Sequence, residues 1–117
     1  MPELKPLLAE RMKKLLPDNE DFKKFLEIIK KEPVNSIRCN TIKISPEELL
    51  IRLKSKGWFM DQPFKDYPEI MVIKNDLAPG ELGRSLEHLL GYYYVQEIAS
   101  MLPVLALKPS PKEKILD

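Results

Sequence analysis

The sequence predicts an α+β protein: a helical hairpin, then a small α/β sandwich, then a segment that ends like the first strand of a Rossmann-like domain. Three observations lead there. Apolar residues recur at three- and four-residue steps through residues 3–32. A run rich in β-branched residues, Ser36 to Ile44, leads directly into a well-capped helix. The chain closes on Lys114-Ile115-Leu116-Asp117, a short apolar run ending in a carboxylate, as a strand does just before a glycine-rich turn. No residues follow to make that turn, so the expectation is a fragment with segments at 1–33, 34–82 and 83–117.

Each element has its own justification. Leu4, Leu7, Leu8, Met12, Leu15 and Leu16 form one apolar helical face, and Pro17 stops that helix. Asp18-Asn19 can cap the next, in which Phe22, Phe25, Leu26 and Ile29 repeat the pattern until Pro33. The strand from Ser36 to Ile44 places Ile37 and Cys39 toward a core, with Ser36, Arg38 and Asn40 on the opposite face. A third helix follows, with Ser45 as N-cap, Pro46 at the first helical position and Glu48 completing a capping box. Ile44 and Leu49 are spaced as a hydrophobic staple, and Gly57 is placed to end the helix in a left-handed conformation. Trp58 to Met60 and Glu69 to Lys74 read as two further strands, separated by a turn at Gln62–Pro68. This strand–helix–strand–strand order suggests a sandwich like an RNA-recognition-type fold. Ser85–Leu90 reads as a short helix ended by Gly91, Tyr92–Val95 as an extended piece, and Gln96 to Leu107 as a mostly apolar helix containing Pro103.

Composition excludes several classes. With 44% apolar and 32% charged residues the chain belongs among folded water-soluble proteins, and neither a membrane-length apolar run nor a signal peptide is present, so a cytoplasmic location is expected. One cysteine, Cys39, and one histidine, His88, exclude an internal disulfide and argue against a structural zinc site. Cys39 reads as a small buried core residue and His88 as a surface residue. Net charge is +1, yet residues 1–56 carry 13 Lys/Arg against 9 Asp/Glu, while residues 57–117 carry 6 against 9. The basic half is compatible with a phosphate-bearing partner or with an ordinary solvated helical surface.

Arg38 and Asn40 on one strand face have the chemistry to hold a phosphate and a base edge, since Arg is a bidentate donor and Asn both donates and accepts. They serve equally well if Arg38 pairs with a carboxylate of a neighbouring domain and Asn40 satisfies a turn. Tyr92-Tyr93-Tyr94 suits base stacking or packing between domains. Gln96, Glu97 and Ser100 either face a site or cap their own helix. No metal cluster, catalytic triad or phosphate-cradling glycine loop is present in the sequence.

Two segments resemble one family. Ser36-Ile37-Arg38-Cys39-Asn40-Thr41-Ile42-Lys43, followed by the helix ending at Gly57, is similar to the Arg-x-Asn-Thr-x-Lys signature of the Nol/Nop/Sun family of S-adenosylmethionine-dependent RNA cytosine-5 methyltransferases. Gly91 through Gln96-Glu97-Ile98-Ala99-Ser100 to Leu107-Lys108-Pro109 and Ile115-Leu116-Asp117 resembles the stretch that precedes that family's cofactor motif. The version here looks most similar to archaeal tRNA methyltransferases of the family.

The resemblance implies an N-terminal module that guides RNA and a Rossmann-like domain that binds S-adenosylmethionine. In that family a cysteine thiolate attacks C6 of cytosine, C5 accepts the methyl group, and a second cysteine assists release. Those cysteines lie in Pro-Cys and Thr-Cys motifs that this chain lacks, and Cys39 matches neither. The expectation is therefore that these residues include no catalytic, cofactor-binding or metal-binding group, and that the chain is inactive alone. The partners expected are RNA, with tRNA the favoured kind, the catalytic domain, and, through the apolar helix at 98–107, a second copy of the chain. Arg38, Asn40 and Lys43 are the candidates for RNA contact, with Arg52, Lys54 and Lys56 as a phosphate-facing set, extended by Lys13, Lys14, Lys23 and Lys24. The competing reading is a stand-alone RNA-binding or scaffold module without enzymatic activity.

Overall fold

The computed structural model describes residues 4–116. The chain divides into two compact units, residues 1–33 and residues 34–117.

In the first unit, α1 (Pro6–Leu15) and α2 (Asn19–Ile28) form the expected hairpin. Asp18 caps α2, its side chain accepting from the Glu20 N–H at 2.8 Å, and Lys13 Nζ lies 5.4 Å from the Phe22 ring centroid. No residue of either helix is buried, so their apolar stripes remain largely open.

The second unit is built on a four-stranded antiparallel sheet of order β2-β3-β1-β4. Its elements run β1 (Ser36–Cys39), α3 (Pro46–Ser55), β2 (Met60–Asp61), β3 (Ile70–Ile73), α4 (Glu81–Arg84), α5 (Leu86–Leu89), β4 (Tyr93–Val95) and α6 (Ile98–Leu107). From β1 to β4 this is the βαββαβ arrangement that RNA-recognition modules share, with α4 and α5 in place of the second helix. The sheet therefore continues past the border expected at residue 82, because β4 supplies the strand beside β1.

The core lies between the sheet and α3. Ile37 and Cys39 of β1, Met71 and Ile73 of β3 and Tyr93 of β4 meet Leu49 and Leu53 of α3, with Ile44 and Trp58 closing the ends. Two buried aromatics anchor the α4–α5 segment by their polar tips. Trp58 Nε1 donates to Glu81 Oε1 at 3.2 Å, and the Tyr93 hydroxyl donates to the Leu82 carbonyl at 2.6 Å. The Ser85 hydroxyl lies 2.7 Å from that of Tyr93 and caps α5 by accepting from the His88 N–H. The His88 ring packs 5.6 Å from that of Tyr93 and is half-buried, not simply on the surface.

The opposite sheet face is also covered. Ile70 and Val72 point there and are buried, and Met101 of α6 is buried with them. Met101, Val104 and Leu105 share a small cavity with Ile70, Glu69 and Arg38, which sets α6 against this face.

Three expected strands differ from the sequence reading. The first ends at Cys39, because Asn40 starts a turn: its carbonyl accepts from Lys43 and Ile44 N–H at 2.9 and 3.1 Å. The one expected at Trp58–Met60 lies at Met60–Asp61, because the Trp58 N–H still closes the end of α3 on the Leu53 carbonyl at 3.1 Å. Lys114–Leu116 is not a strand, and Leu116 is almost fully exposed; Asp117 lies outside the described residues. A strand needs a neighbour for its backbone groups, and among the described residues none flanks this segment.

The cap signals of α3 hold in detail. Ser45 Oγ accepts from the Glu48 N–H at 3.2 Å, and Gly57 sits at φ +84° with no atom within 4 Å of where a Cβ would stand. Gly57→Ala meets no clash and is expected to cost about 1 kcal/mol from the left-handed backbone alone. Ser45→Ala is expected to cost about 1 kcal/mol as a lost cap. The sites are far apart, so urea midpoints should show the two losses adding in the double variant.

Candidate RNA-facing surface

β1 carries Arg38 outward, and the pairing of Arg38 with Tyr94 across the β1–β4 ladder puts both side chains on the outer face. Both are exposed, Tyr94 at 60%. Beyond them the 41–43 turn raises Ile42, which is 95% exposed. Arg38, Tyr94, Asn40, Thr41, Ile42 and Gly91 border an open cleft of about 440 Å³. Among the described residues Arg38 makes no ion pair.

Asn40 is tied down by its amide at the edge of this cleft. Its Nδ2 donates to the Gly91 carbonyl at 3.0 Å and its Oδ1 accepts from the Ile42 N–H at 3.3 Å, so it satisfies two turns. Lys43 Nζ donates to the Leu90 carbonyl at 3.0 Å, where it caps the C-terminal end of α5. Gly91 has φ +72°, and a Cβ there would stand 2.8 Å from Lys43 Nζ.

The basic residues of α3 divide by helical position. Arg52 and Lys56 are four apart and share a face, whereas Lys54 projects elsewhere and is exposed. The Arg52 guanidinium stands 5.4 Å from the Tyr92 ring centroid, and with Lys43 it borders a second open cleft of about 400 Å³. Lys56 is occupied: it forms an ion pair with Glu87 and stands 5.9 Å from the Trp58 ring centroid. Glu87 is a buried carboxylate on a four-residue helix, a partner that no spacing rule relates to Lys56. Lys13, Lys14, Lys23 and Lys24 lie on the hairpin, where Lys14 pairs with Glu10 and Lys24 with Asp21.

Two titratable groups are displaced. Burial pushes the Glu87 carboxyl up, but the hydrogen bond from Lys56 and the nearby Lys56 and Arg52 charges outweigh it and hold the group below its ordinary value of 4.5. Burial, with the Glu69 and Glu47 charges adding to it, pushes the Cys39 thiol up to about 11. Its Sγ lies 3.5 Å from the Ile44 carbonyl, so Cys39 is an inert core residue and no thiolate nucleophile. Among the described residues there is no cluster able to hold a metal ion and no helix long and apolar enough to cross a membrane.

Because the folded-state value of Glu87 is depressed, its stabilisation is complete above the unfolded value and is lost as pH falls through the folded one. Glu87→Gln should lower stability at neutral pH and flatten the decline in urea midpoint between about pH 5 and pH 3. Cys39 should resist alkylation at about pH 8 in the native chain and react only as denaturant unfolds it.

A family profile described as the N-terminal domain of 16S rRNA methyltransferase RsmF matches residues 4–98. The ribosomal RNA small subunit methyltransferase F of Erwinia tasmaniensis is 34% identical over 102 residues, covering 87% of this chain and 21% of that protein. Its namesake from Vibrio atlanticus is 38% identical over 93 residues, covering 80% and 20% respectively. The crystal structure of PH0851 superposes with a TM-score of 0.75 at 30% identity, over 92% of this chain and 23% of that one. A methyltransferase homolog protein from Pyrococcus horikoshii gives 0.62 at 34% identity, over 73% and 27%. The chain thus spans about one fifth of the length of the curated relatives it matches. By the extent of the profile match, and by the superposition over 92% of its length, this chain belongs to the family of the N-terminal domain of 16S rRNA methyltransferase RsmF.

Proposed function

We propose that this chain is the RNA-guiding part of a cytosine-5 methyltransferase acting on small-subunit ribosomal RNA. The observation that carries the reading is the profile match over residues 4–98, which contains the whole exposed surface around Arg38, Arg52 and Tyr94. The family resemblance implies tRNA as the substrate; the relatives' names speak of ribosomal RNA, and we take the latter. Arg38, Arg52 and Lys54 are the residues we assign to RNA contact. Lys56 supports the surface from within, since Glu87 pairs its charge, whereas Lys43 is exposed beside Arg52 and keeps its charge while bonded to the Leu90 carbonyl.

The methylation chemistry belongs to residues other than these. The only thiol is buried and held protonated. The methyl donor implied by the resemblance is S-adenosylmethionine, and the glycine-rich loop that the resemblance assigns to it is not among these residues. A catalytic domain elsewhere in a longer protein would supply both, and we take it to be the principal partner of this module.

The test is binding of the 117-residue chain to a 16S ribosomal RNA fragment and to a tRNA transcript across a salt series. Arg52→Glu with Lys54→Glu should weaken binding and reduce the slope of log affinity against log salt by about two. An unchanged slope would remove these residues from the interface, and equal affinity for both RNAs would remove the ribosomal preference.

A further inference from the structure

We infer that the cleft beside Arg38 and Tyr94 takes one unpaired nucleotide, its base stacked on the Tyr94 ring and its phosphate held by Arg38. The inference rests on the RNA-guiding reading above and narrows it to single-stranded RNA.

The argument starts from what α6 covers. In an RNA-recognition sheet, bases stack on aromatics at the middle of the open face. Here that middle is aliphatic, Ile70 and Val72, and α6 is packed against it through Met101. What the face still offers lies at its β1–β4 end. Arg38 and Tyr94 are direct cross-strand neighbours there, so both side chains leave the same face and line the same cleft. Among the described residues the guanidinium is neither ion-paired nor stacked on a ring, which leaves its planar fork available to a phosphate.

The shape selects the partner. A duplex buries the faces of its bases and presents edges and backbone, so it offers nothing to stack on Tyr94. A single strand exposes a π-face at every nucleotide. The cleft of about 440 Å³ is bounded on one side by the 40–43 turn, whose Ile42 supplies an apolar lip. One N–H and one lone pair of the Asn40 amide are used by Gly91 and Ile42, which fixes the amide at the cleft edge. Stacking on Tyr94 selects for an unpaired base with little regard to which base it is.

The test uses the 117-residue chain with a short RNA carrying 2-aminopurine, single-stranded or annealed to its complement. Quenching on binding the single strand is expected for the parent chain and for Tyr94→Phe. Tyr94→Ala should lose the quench and bind roughly tenfold more weakly. Arg38→Gln should keep the quench while lowering the salt slope by about one. Tyr94 and Arg38 are exposed, and unchanged circular dichroism melts would show both variants folded. Equal affinity of the parent and Tyr94→Ala, or duplex bound as tightly as single strand, overturns the inference. If Arg52→Glu weakens binding while Tyr94→Ala does not, this inference falls and the RNA-guiding reading stands. Absence of binding to either RNA overturns both.

Discussion

Strand β1 is hydrogen-bonded on both edges, to β3 and to β4, and covered on both faces, by the α3 layer and by α6. Four residues sit under that constraint, and three of them are committed to the interior. Ile37 and Cys39 fill the α3 side, while Ser36 turns its hydroxyl to the Gln96 carbonyl at 2.7 Å, at the point where the chain leaves β4 for α6. Only Arg38 reaches solvent. A central strand with one exposed side chain gives that side chain a fixed position with little backbone freedom, which is the condition under which a single contact can orient a ligand.

The same constraint explains why the remaining polar groups near the surface are mostly inward-looking. The turn after β1 must return the chain to α3, and Asn40 ties it across to Gly91. Lys43 completes the tie at Leu90. On the far side of Tyr92, Lys56 reaches Glu87, so α5 is held by cations at two points although it is only four residues long. A helix that short has no stability of its own and persists through such contacts. The exposed aromatic Tyr94 follows directly from this short, firmly held element, so its position is inherited from buried neighbours.

The local signals were the legible ones. Ser45, Pro46, Glu48 and Gly57 announce α3 through rules that depend on a few adjacent residues, and strand parity correctly sorted Ile37 and Cys39 from Arg38. What could not be read were pairings between distant positions. Charge counting makes Lys56 and Lys43 look available, and nothing nearby in sequence names Glu87 or the Leu90 carbonyl as their partners. The Asn40 position looked like strand because Thr41 and Ile42 are β-branched; the tertiary tie to Gly91 outweighed that propensity. The apolar run at 98–107 reads as an unpartnered helix, yet one side of it covers the sheet at Met101, while Leu102 and Leu107 stay exposed.

Gly91 sits at the centre of a trade that is written in the absence of one atom. The space a Cβ would fill is where the Lys43 ammonium rests on its way to Leu90. Any larger residue at 91 would ask the backbone to hold a left-handed conformation and would displace the ammonium into solvent. The positive charge already at the surface would lose its fixed position and the α5 terminus would lose its cap. Glycine at this position thus lets an exposed lysine be pinned to the end of α5, so that its charge is held in one place beside the tyrosines.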